Sequence, residues 1–400
     1  MTDAKELLKK AKESIFFLGL NDLSAVLSYE NMLHGLGKML YVAEQAYCVF
    51  GPDASITRNV DRWLSGFGYG CVIRWKPKGI YFPEIRPNGC GMILVKIEEL
   101  ANESIIEKIS EFKKEQIELN GTKIEPDFGR GNHFIEFYSV SSVLPEIEDM
   151  ISKDEYYAIL HCSASERKHE IYSMVEQGNL VETPLGKISV LDGNLAKEYY
   201  RKWKKFDEFS RKRRELLAKE LFPKCKVISN LTHQGIFSEN EIRLGCNDSL
   251  DKHYGKGKAL FPIALRWDLP LYIFQGKKNL SDRVINMLNF RERAKNLGIL
   301  DELKNINILP HGGGYSISLP YTEVKMVKTE ILNNFILSNK NFRNKIQYRS
   351  RDLFSYERMI LTTPHDLPYN YRGIEVIEKT LEYDLATPAA VLKPIMTFKV

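Results

Sequence analysis

Short β-type runs alternate irregularly with longer amphipathic segments along these 400 residues, and this order limits the folds open to the chain. The β-type runs lie at 71–75, 92–97, 133–140 and 157–161, between turns rich in Gly, Pro and Asn. Helical periodicity occurs at 3–19, 23–48, 195–222, 280–297, 322–337 and 374–385. Because there is no regular βαβ rhythm and no repeat, we expect one compact α/β (α+β) domain over 1–400, with central β-sheets flanked by helices and a helical N-terminal segment at 1–50.

The composition is that of an ordinary globular protein, with 44% apolar and 27% charged residues. No segment approaches the eighteen or so consecutive apolar residues of a membrane span. The six cysteines are scattered and form no CxxC pair, which is typical of a reducing compartment. We therefore expect a soluble, cytoplasmic protein. The net charge of +5 is compatible with a polyanionic partner but does not require one.

The predicted helix at 195–222 concentrates Lys and Arg on one side. This pattern is typical of a solvated helix face, and a surface that contacts a phosphate backbone is the alternative. The same helix carries aromatic residues at near-helical spacing, suited to core packing or to base stacking. They are Tyr199, Tyr200, Trp203, Phe206 and Phe209.

Four of the eight histidines and one cysteine stand in glycine-rich turns or at the ends of β-type runs. They are Cys90 in NGCGM, His133 in GRGNHFIEF, His161 after YYAIL, His233 in SNLTHQGIF and His311 in HGGG. Glycine allows a backbone and a ligand to approach closely at such positions. A mixed thiolate and imidazole set suits Mn, Zn, Fe or Co better than Mg or Ca. Since neither CxxC nor HExxH spacing is present, the pattern alone leaves structural histidines and a metal site both open.

Several of these motifs, in the same order, resemble those of the RtcB family of RNA-splicing ligases. GRGNHFIEF is similar to the family's GxGNHFIE, NGCGM to its DxxCGM turn, and LHCSASERKHE to its HxGSRGxGH loop. YGKGKALFP, HGGGYSIS and LKPIMTFKV are similar to the segments KGAxxxFP, HGAGRxxS and RPxxxxK. The likeness extends from GPDAS at residue 51, similar to a PDGH turn, to the last residue. It implies an RtcB-like fold.

The resemblance also implies a metal centre. Cys90, His161 and His233 match the ligands of one Mn(II), and Cys90 and His133 match ligands of a second, with Cys90 bridging the two. The family's ligating Asp, three residues before the cysteine, is Pro87 here, so the number of ions, one or two, stays open.

The nucleotide site implied by the resemblance is built around His311, which matches the histidine that accepts GMP from GTP. Asn132 matches a residue that contacts the nucleotide phosphate, and Tyr371 and Lys399 match residues of the guanine site. The backbone N–H groups of the turn that follows His311 would face the nucleotide. That turn consists of Gly312, Gly313 and Gly314.

The implied activity is that of an RNA ligase in RNA repair or tRNA splicing. It would join a 3′-phosphate or 2′,3′-cyclic phosphate to a 5′-hydroxyl through a histidine–GMP intermediate, with an archease-like helper protein as a further partner. Two arginines of the family's motifs are replaced here, by Ser165 and Tyr315. These replacements leave two alternatives open: a metal-dependent nucleotidyltransferase or phosphoesterase with another substrate, and a catalytically silent RNA-binding paralogue.

Overall fold

The computed structural model describes residues 3–98, 107, 109, 111–112, 117–129, 131–251, 259–317, 323–328, 333–338, 358–361 and 363–399. The helices are α1 (Ala4–Glu13), α2 (Leu23–Val42), α3 (Val60–Leu64), α4 (His169–Tyr172), α5 (Met174–Gln177), α6 (Gly193–Leu221), α7 (Asp282–Met287), α8 (Arg291–Asn296), α9 (Leu300–Leu303) and α10 (Glu375–Glu382). Aspartates cap α1 and α2: Asp3 accepts from the Glu6 backbone N–H and Asp22 from that of Ala25.

The strands are short, apart from three of ten residues or more. They are β1 (Ile15–Phe17), β2 (Gln45–Ser55), β3 (Tyr69–Lys76), β4 (Gly91–Ile97), β5 (Ile117–Leu119), β6 (Thr122–Ile124), β7 (Phe134–Val143), β8 (Tyr156–Cys162), β9 (Asn179–Thr183), β10 (Gly186–Val190), β11 (Lys226–Thr232), β12 (Gln234–Ser238), β13 (Glu241–Leu244), β14 (Cys246–Asp248), β15 (Leu260–Ile263), β16 (Leu271–Gly276), β17 (Ile308–Pro310), β18 (Tyr315–Ile317), β19 (Glu323–Lys328), β20 (Asn333–Ser338), β21 (Arg358–Leu361), β22 (Tyr369–Tyr371) and β23 (Ala386–Phe398). The structure is thus mixed α/β, as predicted.

Two large sheets form the framework. One has the strand order β11-β4-β8-β7-β23-β16-β15, and the other has the order β1-β2-β3-β13-β12. The chain passes from the first sheet to the second at His233, which lies between β11 and β12. The largest apolar cluster includes residues of both sheets, such as Ile93 and Leu160 of the first and Cys48 and Ile73 of the second. His233 therefore lies where the two sheets meet.

The antiparallel pairing of β11, β4, β8 and β7 brings four chemically reactive residues to one end of the larger sheet. Gly91, the first residue of β4, pairs with Cys162 on one side and Thr232 on the other. Phe134, the first residue of β7, pairs with His161. In an antiparallel ladder the start of one strand lies beside the end of the next. Cys90, His133, His161 and His233 consequently gather at a single edge.

A second, smaller ladder carries His311 to the same edge. The backbone N–H of Cys246 donates to the carbonyl of His233 (3.1 Å), and Cys246 pairs with Pro310 in the β14–β17 ladder. His311 directly follows Pro310. The position of His311 beside His233 thus follows from one short strand pairing.

The long helix α6 packs against β4 and β11. Its buried face contains the aromatic residues Tyr199, Trp203, Phe206 and Phe209, which pack in the main core. It also contains Arg213 and Arg214, which are fully buried although the sequence gave no indication of it. Part of the helix's positive charge is therefore structural and does not face solvent.

One predicted helix is wrong. The segment 322–337 contains strands β19 and β20 of the three-stranded sheet β19-β20-β21. Its apolar residues fit a helical stripe as well as a strand alternation, and pairing with distant β21 favours the strand. Leu337 is buried in a cluster with Leu27 and Trp63.

The other predicted elements have shorter or altered bounds. The segment 280–297 forms two short helices, α7 and α8, and 374–385 contains α10. Within 1–50, a short strand β1 separates α1 from α2, and β2 begins at Gln45. No helix in the described part of the chain is long and apolar enough to cross a membrane.

Candidate metal centre and nucleotide site

Cys90, His161 and His233 form a compact, buried donor cluster. The Cys90 Sγ lies 3.1 Å from His161 Nε2, and His161 Nε2 lies 3.3 Å from His233 Nε2. One donor atom from each residue lies within 4.8 Å of the others. All three residues are at most 2% exposed. A thiolate and two imidazoles are the donor set of a borderline divalent cation, and the geometry allows all three to reach one ion.

The protonation states of the cluster favour metal binding. Burial by itself raises the pKa of the Cys90 thiol, but the neighbouring His161 and His133 rings outweigh it and hold this pKa well below its usual value. Burial, together with the nearby His311, lowers the pKa of His233 to about 3. A thiolate and a neutral imidazole are the forms in which these side chains bind metals.

The His161 ring is held by a hydrogen-bond partner on the side away from the other donors. His161 Nδ1 lies 2.9 Å from the backbone oxygen of Asn132, so Nε2 faces the cluster. Such a contact fixes the tautomer and the orientation of a metal-binding imidazole. The backbone N–H of His233 donates to the Cys90 carbonyl at 3.0 Å, which joins two of the three donor residues directly.

His133 lies beside this cluster, where its ring packs edge-on against that of His161 (centroids 5.4 Å apart) and its Nε2 faces Cys90. Its Nε2 is 3.5 Å from the Cys90 Sγ, and its Nδ1 is 2.8 Å from Asp127 Oδ2. Burial lowers the pKa of His133, but the Cys90 thiolate and Asp127 reverse this effect and raise it to about 9. The Asp127 carboxylate is bound in turn by the buried Arg213 at 3.2 Å.

His311 lies against the cluster and is oriented by a carboxylate. The centroids of the His233 and His311 rings are 4.5 Å apart. Asp53 Oδ2 lies 2.7 Å from His311 Nδ1 and accepts the His311 backbone N–H at 3.0 Å. Both residues are buried, His311 at 5% exposure and Asp53 at 0%. An Asp–His pair of this kind leaves the opposite ring nitrogen, Nε2, as the nucleophilic atom.

The three glycines that follow His311 are required by close backbone contacts. A Cβ at Gly312 would lie 2.6 Å from the Ala264 oxygen, and one at Gly313 would lie 2.7 Å from the Arg372 oxygen. Gly314 has a φ of +65°, and a Cβ there would lie 2.5 Å from the backbone oxygen of Asp53. The turn therefore packs directly on the residues that orient His311.

Arg372 links the glycine turn to two other segments of the chain, and the sequence did not indicate this role. Its guanidinium binds the Asp22 carboxylate through Nε (2.5 Å) and Nη2 (2.9 Å), and Nη2 also donates to the Ala54 carbonyl at 2.7 Å. Its backbone N–H donates to Gly314 at 3.3 Å. The side chain is 1% exposed. Arg372 thereby ties the cap of α2 and the residue after Asp53 to the glycine turn.

Two adjoining cavities open beside His311. The smaller, of about 40 Å³, is lined by residues that include Asn132, His161, His311, Gly312, Gly313, Gly314, Tyr315 and Tyr371. The larger, of about 770 Å³, is lined by residues that include Glu136, Trp267, Tyr371, Lys393 and Lys399. Phe134, Leu265 and Tyr371 line both cavities. A ligand that spans the two spaces would have one end at His311.

The structure brings the residues singled out from sequence into one region. Cys90, His133, His161 and His233 surround the donor cluster, and Asn132, His311 and the three glycines line the small cavity. Tyr371 and Lys399 are in contact, with Lys399 Nζ 3.5 Å from the Tyr371 hydroxyl. Part of the YGKGKALFP motif, at 254–258, lies outside the described residues.

Other residues of the site were missed. Asp53, Asp127 and Arg372 hold its parts in place, and none belongs to a pattern that marks a site by itself. Asp53 alone carried a signal, because it is the acidic residue of the GPDAS turn.

The fold and the site define a mixed α/β protein with a Cys/His/His cluster beside a carboxylate-bound histidine. No protein-family model matches the chain. The curated proteins likewise contain no match to it.

Proposed function

We propose that this protein is a metal-dependent RNA ligase of the RtcB type that accepts a nucleotide on His311. The observation that carries the proposal is the placement of His311 between Asp53 and the Cys90–His161–His233 cluster. Asp53 holds the His311 imidazole, the proposed nucleophile, in one orientation. The same imidazole contacts the ring of His233, which belongs to the candidate cation site. The family resemblance supplies the substrates: GTP, an RNA end with a 3′-phosphate or 2′,3′-cyclic phosphate, and an RNA end with a 5′-hydroxyl.

His311 and Asp53 supply the nucleophile of the first step. With its Nδ1 proton directed to Asp53, the imidazole uses the Nε2 lone pair to attack the α-phosphate of GTP, and pyrophosphate leaves with the electrons of the broken P–O bond. Asp53 stabilises the positive charge that develops on the ring and keeps it in one orientation. A 2′,3′-cyclic phosphate is first opened by water to the 3′-phosphate. An oxygen of the 3′-phosphate then takes the GMP group as the P–N bond to His311 breaks, and the 5′-hydroxyl attacks the activated RNA phosphate, which releases GMP.

The cluster fits a divalent cation, and we assign it to Mn(II) on the basis of the family resemblance. Cys90, His161 and His233 would hold the ion, whose chemistry is to neutralise charge on phosphate oxygens. Pro87 cannot ligate, so the ligand set that the resemblance implies for a second ion is incomplete, although His133 directs its Nε2 to Cys90 while Asp127 contacts its Nδ1. We therefore propose one tightly bound ion held by these three residues.

The larger cavity, of about 770 Å³, has room for a nucleotide, and the smaller one connects it to His311. Asn132 and the glycine turn line the space next to His311, where the phosphates would lie. Tyr371 and Lys399 line the larger space, where the base would lie. The volume of the larger cavity is typical of a small-molecule site. The cysteines, none of them paired in a disulfide, fit a cytoplasmic protein, and an archease-like helper remains part of the proposal.

The test is a nucleotidylation assay with Mn(II) and GTP labelled at the α-phosphate. We expect an acid-labile, alkali-stable protein adduct that is absent in His311→Ala and present in His365→Ala, which removes an exposed histidine outside the motifs that resemble the family. Ligation of RNA with 3′-phosphate and 5′-hydroxyl ends completes the test. A wild-type protein that binds Mn(II) but forms no adduct would contradict the proposal.

One observation favours a second function, a metal-dependent nucleotidyltransferase or phosphoesterase. Tyr315, in place of the family's arginine, packs at a tilt against the rings of Tyr369 and Tyr371, and its presence removes a phosphate-binding cation from the turn after His311. This function predicts adduct formation or hydrolysis without RNA ligation. The silent RNA-binding paralogue predicts RNA binding with neither adduct nor bound metal.

A further inference from the structure

The outer rim of the large cavity has features that the mononucleotide does not use. Trp267 lines this cavity but not the small one, and it lies in the loop between β15 and β16. It is 68% exposed, whereas Trp63, Trp75 and Trp203 are at most 2% exposed. A large apolar ring in contact with water at a cavity rim is a typical stacking surface for an unpaired base.

The charges around this ring suit a nucleic-acid strand. Lys393 and Lys399 line the same cavity and are exposed. The nearby Asp268 is bound through both carboxylate oxygens by Arg266, at 2.5 and 2.9 Å. Its negative charge is therefore balanced within the loop, while Lys393, which is not part of the proposed guanine site, remains available to phosphates.

The other acid of the cavity, Glu136, lies deeper and is hydrogen bonded. It accepts from the hydroxyls of Tyr138 and Thr397, and it is 6% exposed. Burial raises its pKa. Glu136 thus lies below the rim, where Trp267 and Lys393 lie, and its oxygens are occupied by these two hydroxyls.

The loop that carries Trp267 is tied to the turn after His311. The carbonyl of Ala264 accepts the Gly313 backbone N–H at 3.1 Å, and Ala264 also forms a parallel bridge with Gly312. Leu265, the next residue, lines both cavities. An RNA strand bound at Trp267 would therefore contact the same loop that supports the glycine turn after His311.

A mononucleotide and a strand would occupy different parts of this space. The base of a nucleotide whose α-phosphate reached His311 would lie beside Tyr371, which both cavities share together with Phe134 and Leu265. Trp267 is absent from that shared set and lies further out. The rim is consequently open to a second base.

We propose that Trp267 stacks an unpaired base of single-stranded RNA, with the strand's phosphates toward Lys393, and so guides an RNA end to His311. This inference rests on the proposed function and names the binding surface for its RNA substrate. The strand, rather than GTP, is the ligand of Trp267.

The native tryptophans provide the test. Because Trp267 is the exposed one of the four, its emission reports on the rim in the wild-type protein. We expect an unstructured oligoribonucleotide with a 3′-phosphate to quench this emission saturably, without GTP. GTP alone and blunt duplex RNA should not. In a separate filter-binding assay, Trp267→Leu should weaken oligonucleotide binding about 5- to 100-fold, the range of one lost base stack.

Two matched variants guard against misfolding and against a nonspecific charge effect. Trp267→Phe keeps an aromatic face and should bind within about threefold of wild type. Lys212→Ala removes an exposed cation of α6 and should likewise bind as wild type, whereas Lys393→Ala should bind more weakly. Equal weakening by Lys212→Ala and Lys393→Ala would overturn the assignment of this rim.

The outcomes separate this inference from the proposed function. Adduct formation on His311 without RNA quenching would overturn the Trp267 surface and leave the nucleotide chemistry standing. RNA quenching without any adduct would support the surface and contradict the ligase. Quenching by GTP alone, to the same extent as by RNA, would assign Trp267 to the mononucleotide and overturn the inference.

Discussion

Asp53 and His311 are 258 residues apart in the chain, yet one carboxylate oxygen of Asp53 contacts both the side chain and the backbone of His311. Oδ2 lies 2.7 Å from Nδ1 and accepts the backbone N–H at 3.0 Å. Both contacts are buried. This pairing fixes the ring of His311 against His233 and makes Asp53 the positioning residue of the proposed nucleophile.

Replacement of Asp53 should therefore slow nucleotide transfer without removing the metal. We expect Asp53→Asn to reduce the rate of adduct formation by about 10²- to 10⁴-fold, because an amide neither fixes the productive tautomer nor balances the charge on the ring. The measurement is a single-turnover assay with labelled GTP. Asp149→Asn, at an exposed position, is the control. Unchanged rates in both variants would remove Asp53 from the mechanism.

Metal binding should depend on Cys90 and show one tight equivalent. Since the loss of a residue that merely supports a metal ligand costs about 10- to 100-fold in affinity, we expect Cys90→Ser to weaken Mn(II) or Zn(II) binding by more than about 100-fold. Isothermal titration calorimetry measures both stoichiometry and affinity. Cys225→Ser, in a half-buried thiol outside the cluster, should bind as wild type.

Removal of the metal should lower the stability of the folded protein. A ligand present at a hundred times its Kd stabilises the native state by about 2.7 kcal/mol. A chelator should therefore lower the melting temperature of wild type and leave that of His161→Ala unchanged. Equal shifts in the two proteins would place the bound metal elsewhere.

Gly314 should tolerate no side chain, for reasons of space as well as of backbone conformation. We expect Gly314→Ala to abolish most adduct formation, because its Cβ would lie 2.5 Å from the backbone oxygen of Asp53 and 2.8 Å from Arg372 Nη1. Gly121→Ala is the matched control. Its φ of +73° is also positive, but nothing lies within 4 Å of a Cβ there. Both variants carry the strain of about 1 kcal/mol that a positive φ imposes, so equal activities would exclude the contact with Asp53 as the cause.

Arg214 should matter for stability more than the exposed basic residues of α6. Its guanidinium donates to Asn230 Oδ1 (2.7 Å), the Gly89 carbonyl (3.1 Å) and Thr232 Oγ1 (3.0 Å). Two of these acceptors adjoin donor residues of the cluster, since Gly89 precedes Cys90 and Thr232 precedes His233. Burial lowers the pKa of Arg214 to about 10, so it stays charged at neutral pH.

We expect Arg214→Met to lower the free energy of unfolding by about 2–4 kcal/mol, because it leaves buried acceptors without donors. Lys212→Met, at an exposed position, should change it by less than about 0.5 kcal/mol. Urea denaturation measures both values. Equal losses of the free energy of unfolding in the two variants would show that the positive charge on α6, rather than the buried hydrogen bonds of Arg214, determines how much these residues stabilise the fold.

The β-type runs around Cys90, His133 and His161 were predictable because each is local. The patterns near 92–97, 133–140 and 157–161 correspond to β4, β7 and β8, confirmed with bounds shifted by a few residues. The segment 322–337 shows the limit of such patterns. Its apolar spacing fits two periods, and pairing with a distant strand decided between them.

The basic helix shows a second limit. Sequence placed a helix at 195–222 and marked its charge, but periodicity could not tell which arginines are buried. Arg213 and Arg214 lie inside because Glu166, Asp127, Asn230 and the Gly89 carbonyl, all from other parts of the chain, supply their acceptors. A buried guanidinium is stable only where such partners exist, and they come from the tertiary structure.

The sequence by itself determined the chemistry that the chain can offer: a cysteine and four histidines in turns and at strand ends, a glycine run after His311, and the mixed α/β character of the elements. These properties depend on residue type and local spacing. The tertiary structure decided which of these side chains meet. Antiparallel register placed three donors within 4.8 Å of one another, and the β14–β17 ladder set His311 against them and against Asp53. Contacts between distant segments depend on how strands pair and sheets pack, and neither is encoded within any single stretch of residues.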